Sequence, residues 1–307
     1  MMRILALCNS DWLALPAINQ LHQQGVLAGV LIPAKSAGVL LPSIKKLGIS
    51  EQVIFKTDKK DLEQKLGSVI QTLTPDVVMV FTFPWKIPAT LLNLPEKGFI
   101  NFHFGLLPAY KGTDPVFWQL KNGETNGGIS VHVMTDEVDE GPLLMVQPMP
   151  VIPGETYGIH CQRLGILAGQ VMEKVFNVLN NPERTIINNQ GGEFLRSPAI
   201  AELTINWQTQ TADEIERLVN AANPKYGGAI TTIRQTQVQI LEVAMADLNS
   251  PVQNAPGTIV YADAVYGLIV ACINNQHLQL RIVNLPEGYI SGIKLFNMGF
   301  KPGEIFN

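Results

Sequence analysis

The chain has 307 residues, 46% of them hydrophobic and 16% charged, which is enough apolar material for two ordinary domains or one large one and excludes a mini-domain or a disordered chain. With 22 Lys and Arg against 26 Asp and Glu, the formal net charge of −4 gives no overall field to gather polyanions. A nucleic-acid partner would need a local basic patch.

The apolar run at 4–8 ends in Asn9, Ser10 and Asp11, so it reads as a buried first strand and not as a signal peptide. Further strand-like runs follow at 26–32, 52–55, 77–83, 99–104 and 129–134, with helical patterns at 12–24, 61–73 and 115–122 between them. This alternation predicts an α/β fold built on a doubly wound, mostly parallel sheet covered on both faces. Tyr157, Cys161, Leu164, Ala168, Val171, Val175 and Val178 form one apolar stripe at helical spacing, which predicts a single helix stopped by Asn180, Asn181 and Pro182. No stretch reaches the roughly 18 uninterrupted apolar residues of a membrane span, so no membrane partner is expected. Cys8, Cys161 and Cys272 are widely scattered and give neither a disulfide framework nor metal-ligand spacing; a reducing cytoplasm is the expected compartment.

Beyond residue 184 the periodicity fades among Asn188, Asn189, Gly191, Gly192 and Pro198, which places a linker at 185–206 between a catalytic domain at 1–184 and a C-terminal domain at 207–307. Thr211 and Glu214 make a capping box before Ile215, Leu218, Val219 and Ala222. Strand-like runs at 229–233, 238–244, 258–261, 268–272 and 278–283 then predict a small β-barrel of the OB-like kind.

Neither a G-x-G-x-x-G dinucleotide fingerprint nor a G-x-x-x-x-G-K-[ST] phosphate loop is present. The candidate chemistry sits instead at Asn101-Phe-His103-Phe-Gly-Leu-Leu-Pro108, where a strand runs into a turn. Asn101 and His103 are two apart and share a face, aimed at the crevice beyond the strands' carboxyl ends where open α/β sheets bind ligands. The next strand ends in a second polar cluster, from Thr135 through Asp136, Glu137, Val138, Asp139 and Glu140 to Gly141 and Pro142, which patterning alone would read as a solvated loop. His132 reads as a structural hydrogen-bonding residue. With no H-x-x-x-H or C-x-x-C pairing, no metal is expected.

Taken together, N-F-H-F-G-L-L-P and D-E-G-P resemble the signature of the 10-formyltetrahydrofolate-dependent formyltransferases, an N-x-H-x-S-L-L-P followed by a D-x-G. Lys111-Gly112 with 115–118 is similar to that family's R-G-x-x-P stretch, and Asn122-Gly123-Glu124 to its N-G-E turn. The domain order resembles the methionyl-tRNA formyltransferase branch, as do Ala255-Pro256-Gly257 and the G-x-x-P-G tail at Gly299 to Gly303. Two positions depart: Gly105 stands for the usual Ser and Lys111 for the usual Arg, and both bear on substrate contacts more than on the reaction.

The resemblance implies an enzyme in which Asn101, His103 and Asp139 are catalytic. A side-chain amide such as that of Asn101 can stabilise the oxyanion that forms when an amine attacks a formyl carbon. A histidine titrating near neutral pH can take the amine's proton, and an aspartate can orient it. The formyl donor and co-substrate would be 10-formyltetrahydrofolate, held by Phe83, Trp85, Lys86 and Ile87 on one loop and by Thr135, Asp136 and Val138 on another. The expected acceptor is a primary amine on a small molecule or a carrier, such as an amino sugar nucleotide. Methionyl-tRNA is the alternative acceptor, since the stretch at 33–43 is short and carries only Lys35 where that branch has a long basic loop. A hydrolase of the same fold and a non-catalytic folate-binding module are the remaining readings.

Overall fold

The computed structural model describes residues 2–181, 187–248 and 254–307. Two compact units form, one from the segment ending at Pro115 together with Asn126–Pro150 and Cys161–Leu195, the other from Val116–Thr125, Val151–His160 and Arg196–Asn307. In chain order come β1 (Ile4–Cys8), α1 (Asp11–Gln23), β2 (Leu27–Pro33), α2 (Ala37–Lys46), β3 (Ile54–Thr57), α3 (Leu62–Leu73), β4 (Val77–Phe81), α4 (Ala89–Leu92), β5 (Phe99–His103) and β6 (Tyr110–Gly112). They are followed by α5 (Pro115–Lys121), β7 (Asn126–Val133), β8 (Leu143–Pro150), α6 (Tyr157–Gln170), α7 (Met172–Asn180) and β9 (Glu193–Leu195).

The first unit is a seven-stranded sheet in the order β3-β2-β1-β4-β5-β7-β8. Pairing is parallel from β3 to β5 and antiparallel from β5 through β7 to β8, so the sheet is mostly parallel as expected. Leu62, Leu66, Val69 and Ile70 of α3 lie at helical spacing and pack on Leu5, Leu7, Val78, Val80 and Phe99, alternate residues of three strands. The intervening residues Ile4, Ala6, Val77 and Met79 are also fully buried, so helices cover the other face too. Helix α1, capped by Ser10 accepting from the Leu13 N–H, carries the buried face Leu13, Ala14, Ala17, Ile18 and Leu21.

Three local expectations change. The strand expected at 52–55 begins at Ile54, because Ser50 caps a 3-10 turn at Glu51–Val53. The helix expected to run unbroken from Tyr157 to Val178 is divided at Val171 into α6 and α7. Its proposed stop at Pro182 lies outside the described residues, as do the catalytic boundary at 184 and the start of the linker at 185. Strand β8 was not anticipated, since Pro148 and Pro150 break its pattern; it is an edge strand, where a missing N–H costs no ladder bond.

The second unit contains α8 (Ile200–Leu203), α9 (Ala212–Ala222), β10 (Ala229–Ile233), β11 (Thr236–Met245), β12 (Ile259–Asp263), β13 (Gly267–Ala271), β14 (His277–Leu285), β15 (Gly288–Ser291) and α10 (Gly292–Asn297). The Thr211–Glu214 capping box opens α9. Its antiparallel sheet runs β10-β11-β14-β13-β12, with β15 also on β14. The edge strands β10 and β12 are joined through the C-terminal tail. Asn307 exchanges both backbone bonds with Thr232 at 2.9 Å, and Phe306 donates to the Gly257 carbonyl at 2.8 Å. Trp207 packs on Phe306 and donates its indole N–H to Thr231 Oγ1 at 2.9 Å, fixing the closure from inside. Among the described residues no helix is long and apolar enough to cross a membrane.

Candidate active site

Along β5 the odd residues Phe99, Asn101 and His103 share the face that α3 covers further along the sheet, so the apolar cluster passes into a polar one at the strand's end. Strand β7 runs antiparallel to β5, with Val133 opposite Ile100 and His132 opposite Asn101. Its carboxyl end therefore lies at the beginning of β5, not at the same sheet edge as the sequence pattern implied. The loop after it turns back over the face and brings Asp139 to the other two residues.

All three sequence-selected residues meet there. Asp139 Oδ2 lies 3.5 Å from His103 Nδ1, and Asn101 Nδ2 donates to Asp139 Oδ1 at 3.4 Å. Asn101 Nδ2 also donates to His132 Nε2 at 3.0 Å. That nitrogen is the acceptor because His132 Nδ1–H is directed to the Val133 carbonyl at 3.0 Å. His132 thus holds the Asn101 amide and lies 3.5 Å from Asp139 Oδ1. His103 Nε2–H donates to the Tyr110 carbonyl at 2.5 Å. His103 and Asp139 are only 5% and 6% exposed, which makes their charge states consequential.

Burial disfavours the imidazolium and lowers the pKa of His103 below its ordinary value, against the opposing pull of the Asp139 carboxylate and the Tyr110 carbonyl. Burial works the other way on Asp139, but the two histidines and the Gly112 N–H, which donates at 2.9 Å, outweigh it and bring its pKa to about 2. Near neutral pH the pair is a carboxylate beside a neutral imidazole. Such a pair can accept a proton at the ring and stabilise the imidazolium that results.

The residues selected for the co-substrate divide between two loops. Phe83 and Trp85 are half-buried, pack edge to face at 5.4 Å and rest on the apolar cluster, which also includes Ile87. Lys35 Nζ sits 5.9 Å from the Trp85 ring centre. Thr135, Asp136 and Val138 are exposed. Lys86 and Asp136 tie the two loops at 2.7 Å across the surface. Among the described residues no group of His, Cys, Asp and Glu could hold a metal ion.

A family model described as Formyl transferase matches residues 3–176, and one described as Formyl transferase, C-terminal domain matches residues 200–301. The chain belongs to the formyl transferase family. It is 29% identical over 281 residues to the methionyl-tRNA formyltransferase of Aromatoleum aromaticum, covering 89% of this chain and 86% of that one. Its fold is similar to that of HypX from Aquifex aeolicus, with a TM-score of 0.68 and 12% identity over 98% of this chain; the match spans about half of HypX, 48% of its length. It is also similar to WlaRD, a sugar 3N-formyl transferase solved with dTDP and 5-N-formyl-THF, with a TM-score of 0.64, 15% identity and coverage of 91% and 97%.

For a formyltransferase of this build, several site contacts come from residues outside the set selected as catalytic or co-substrate-binding. The three-residue strands β6 and β9 pair in parallel, and β6 supplies both the Tyr110 carbonyl on His103 and the Gly112 N–H on Asp139. Lys111, between them, is buried with its ammonium on Glu140 at 2.7 Å and on the Asn189 carbonyl at 3.2 Å. Gly105 gives His103 its room, since a Cβ there would lie 2.9 Å from Nε2 and 2.7 Å from Pro115 Cβ. A glycine inside a motif was the available signal for that; Lys111 and Gly112 were marked only by their likeness to the R-G-x-x-P stretch, and Asn189 only as a linker residue.

Proposed function

We propose that the chain transfers a formyl group from 10-formyltetrahydrofolate to a primary amine carried by a small molecule or a carrier, such as an amino sugar nucleotide. The observation that carries the reaction is the convergence of Asn101, His103 and Asp139 at one point of the sheet face, with His103 and Asp139 buried. When bound, 10-formyltetrahydrofolate supplies the activated formyl carbon. Phe83, Trp85 and Ile87 offer apolar surface, and the exposed backbone at 135–138 offers donors and acceptors, a set that suits a fused heteroaromatic ring.

Asn101 Nδ2 turns one N–H to the developing oxyanion by giving up its longer bond, the 3.4 Å contact to Asp139, while the 3.0 Å bond to His132 keeps the amide oriented. His103 takes the amine's proton at Nδ1, the ring nitrogen not held by the Tyr110 carbonyl, and Asp139 stabilises the resulting imidazolium. The imidazolium gives the proton up to the folate nitrogen as its bond to the formyl carbon breaks, so that tetrahydrofolate leaves and the amine keeps the formyl group. Lys111 is committed to Glu140 and the Asn189 carbonyl, so it braces the Asp139 loop from below. With the three cysteines buried and scattered, the reducing cytoplasm is the setting we assign.

Charge supports the choice of acceptor. The stretch after β2 is a 3-10 turn at Ala34–Ser36 leading into α2, and its Lys35 faces Trp85. From Trp207 onward six basic residues (Arg217, Lys225, Arg234, Arg281, Lys294, Lys301) stand against eight acidic ones (Asp213, Glu214, Glu216, Glu242, Asp247, Asp263, Glu287, Glu304), a balance of −2. Arg234 is further engaged by Glu304 at 2.6 Å. Few cations remain for the counterion release that polyanion binding depends on. The second reading, methionyl-tRNA as acceptor, draws on the near full-length relatives of that name.

An acceptor panel with 10-formyltetrahydrofolate, read by tetrahydrofolate release, separates the two. The expected result is the highest kcat/KM on a small or carrier-bound amine and poor, weakly salt-dependent turnover of initiator methionyl-tRNA. Efficient formylation of methionyl-tRNA with affinity lost steeply between low and moderate salt would make tRNA the acceptor. No turnover of any amine would leave a binding module.

A further inference from the structure

Asn189 falls in the segment the sequence pattern assigns to a linker, yet it is 2% exposed and touches the catalytic loop directly. Its Nδ2 donates to the Asp139 carbonyl at 2.6 Å and to the Gly141 carbonyl at 3.1 Å. Carbonyl oxygens only accept, so the amide must present its NH2 group to them. Among the described residues its own Oδ1 is then buried without a hydrogen-bond partner, an unfavourable arrangement that a mere space-filling residue would not need. Asp139, the residue so held, has a φ of +55°, a left-handed backbone that a non-glycine residue keeps only when its surroundings enforce it. From that backbone its carboxylate reaches His103, Asn101 and the Gly112 N–H.

The Asn189 segment is itself immobilised against the strand that serves the site. A Cβ on Gly192 would fall 1.8 Å from the Pro108 carbonyl oxygen, and one on Gly112 2.0 Å from that of Leu195, so the two stretches approach at backbone distance. Lys111 donates to the Asn189 carbonyl and pairs with Glu140, tying the same three pieces of chain together from the other side.

We propose that Asn189 is a positioning residue for formyl transfer: its side-chain amide clasps both flanks of the Asp139 turn and so aims the carboxylate at His103. This rests on the reading of Asp139 as His103's catalytic partner. Loss of the clasp lets the carboxylate drift while the other co-substrate loop, that of Phe83, Trp85 and Ile87, stays in place on the apolar cluster.

The experiment compares Asn189→Ala, Asn189→Ser, Asp139→Asn and the double variant Asn189→Ala/Asp139→Asn in steady-state formyl transfer across pH. Asn189→Ala should lower kcat by roughly 10- to 100-fold, the scale of a small misplacement of a catalytic group, with KM for the donor changed by less than about twofold. Its acid limb should move to lower pH, because an imidazole that loses its carboxylate neighbour releases its proton more easily. Asn189→Ser, which keeps one donor, should fall between Ala and wild type. In the double variant, adding Asn189→Ala to Asp139→Asn should cost little more, since both act through one interaction. Near wild-type kcat in Asn189→Ala would overturn the proposal. So would a loss that is additive with Asp139→Asn and leaves the pH profile in place, the signature of a structural role. If Asn189→Ala does not fold, Asn189→Ser carries the same readouts. A silent Asp139→Asn would instead sink the catalytic reading of the trio, a result distinct from a slow Asp139→Asn beside a normal Asn189→Ala.

Discussion

The cluster of Asn101, His103 and Asp139 and the exposed loops beside it are built on different terms. The His103 ring, the Asp139 carboxylate and the Asn101 amide nitrogen are engaged by named partners, two of them backbone groups that cannot rotate away. The loops carrying Lys86 and Asp136 meet through an ion pair whose members are 55% and 63% exposed, and Trp85 is only half-buried. In low dielectric a fixed hydrogen bond sets geometry and charge state, whereas an exposed ion pair is screened and contributes little. The fixed cluster should therefore govern turnover, and the exposed loops binding.

The largest expected effect tests the buried side. His103→Ala should lower kcat by roughly 100-fold or more with the fold retained, as expected for loss of a general base. Asn101→Ala should lose about 3 kcal/mol of transition-state stabilisation, read as kcat/KM on the same amine. Trp85→Ala tests the exposed side: donor affinity should weaken by about tenfold, from lost aromatic surface, with kcat nearly unchanged, as measured by folate titration and turnover together. A kcat loss in Trp85→Ala as large as in His103→Ala would erase the distinction between the regions.

The pH profile sharpens it further. Burial holds the His103 pKa below its ordinary value, so the base is already free at neutral pH and kcat should fall only as pH drops below about 6.5. Asp139, brought to about 2, stays ionised through that window and should add no second limb there. The smallest effect is expected of Lys86→Ala, a severalfold rise in donor KM at low salt that fades with added salt.

Much of this was legible in the sequence because the elements involved obey local rules. Alternating apolar strands and the α3 stripe identify the sheet and its cover, and two residues on one strand face identify Asn101 and His103 as neighbours. Asp139 was reachable only through its motif, since the antiparallel return of β7 and the folded-back loop are tertiary facts. The strands β6 and β9 are three residues long, too short for any periodicity, and β8 was hidden by prolines that an edge position tolerates. Asn189 looked like an ordinary linker asparagine because its importance lies in two carbonyls some 50 residues away in the chain.

Formyl transfer to an amine is assigned to half-buried Asn101 with buried His103 and Asp139, and not to the exposed loops. Its most direct test measures tetrahydrofolate release from 10-formyltetrahydrofolate with the best acceptor of the panel, for wild type and His103→Ala, alongside donor binding by each protein. Donor affinity within about twofold of wild type and turnover reduced by roughly 100-fold or more are expected of the variant. Turnover within a few-fold of wild type, with donor affinity intact, would contradict that assignment.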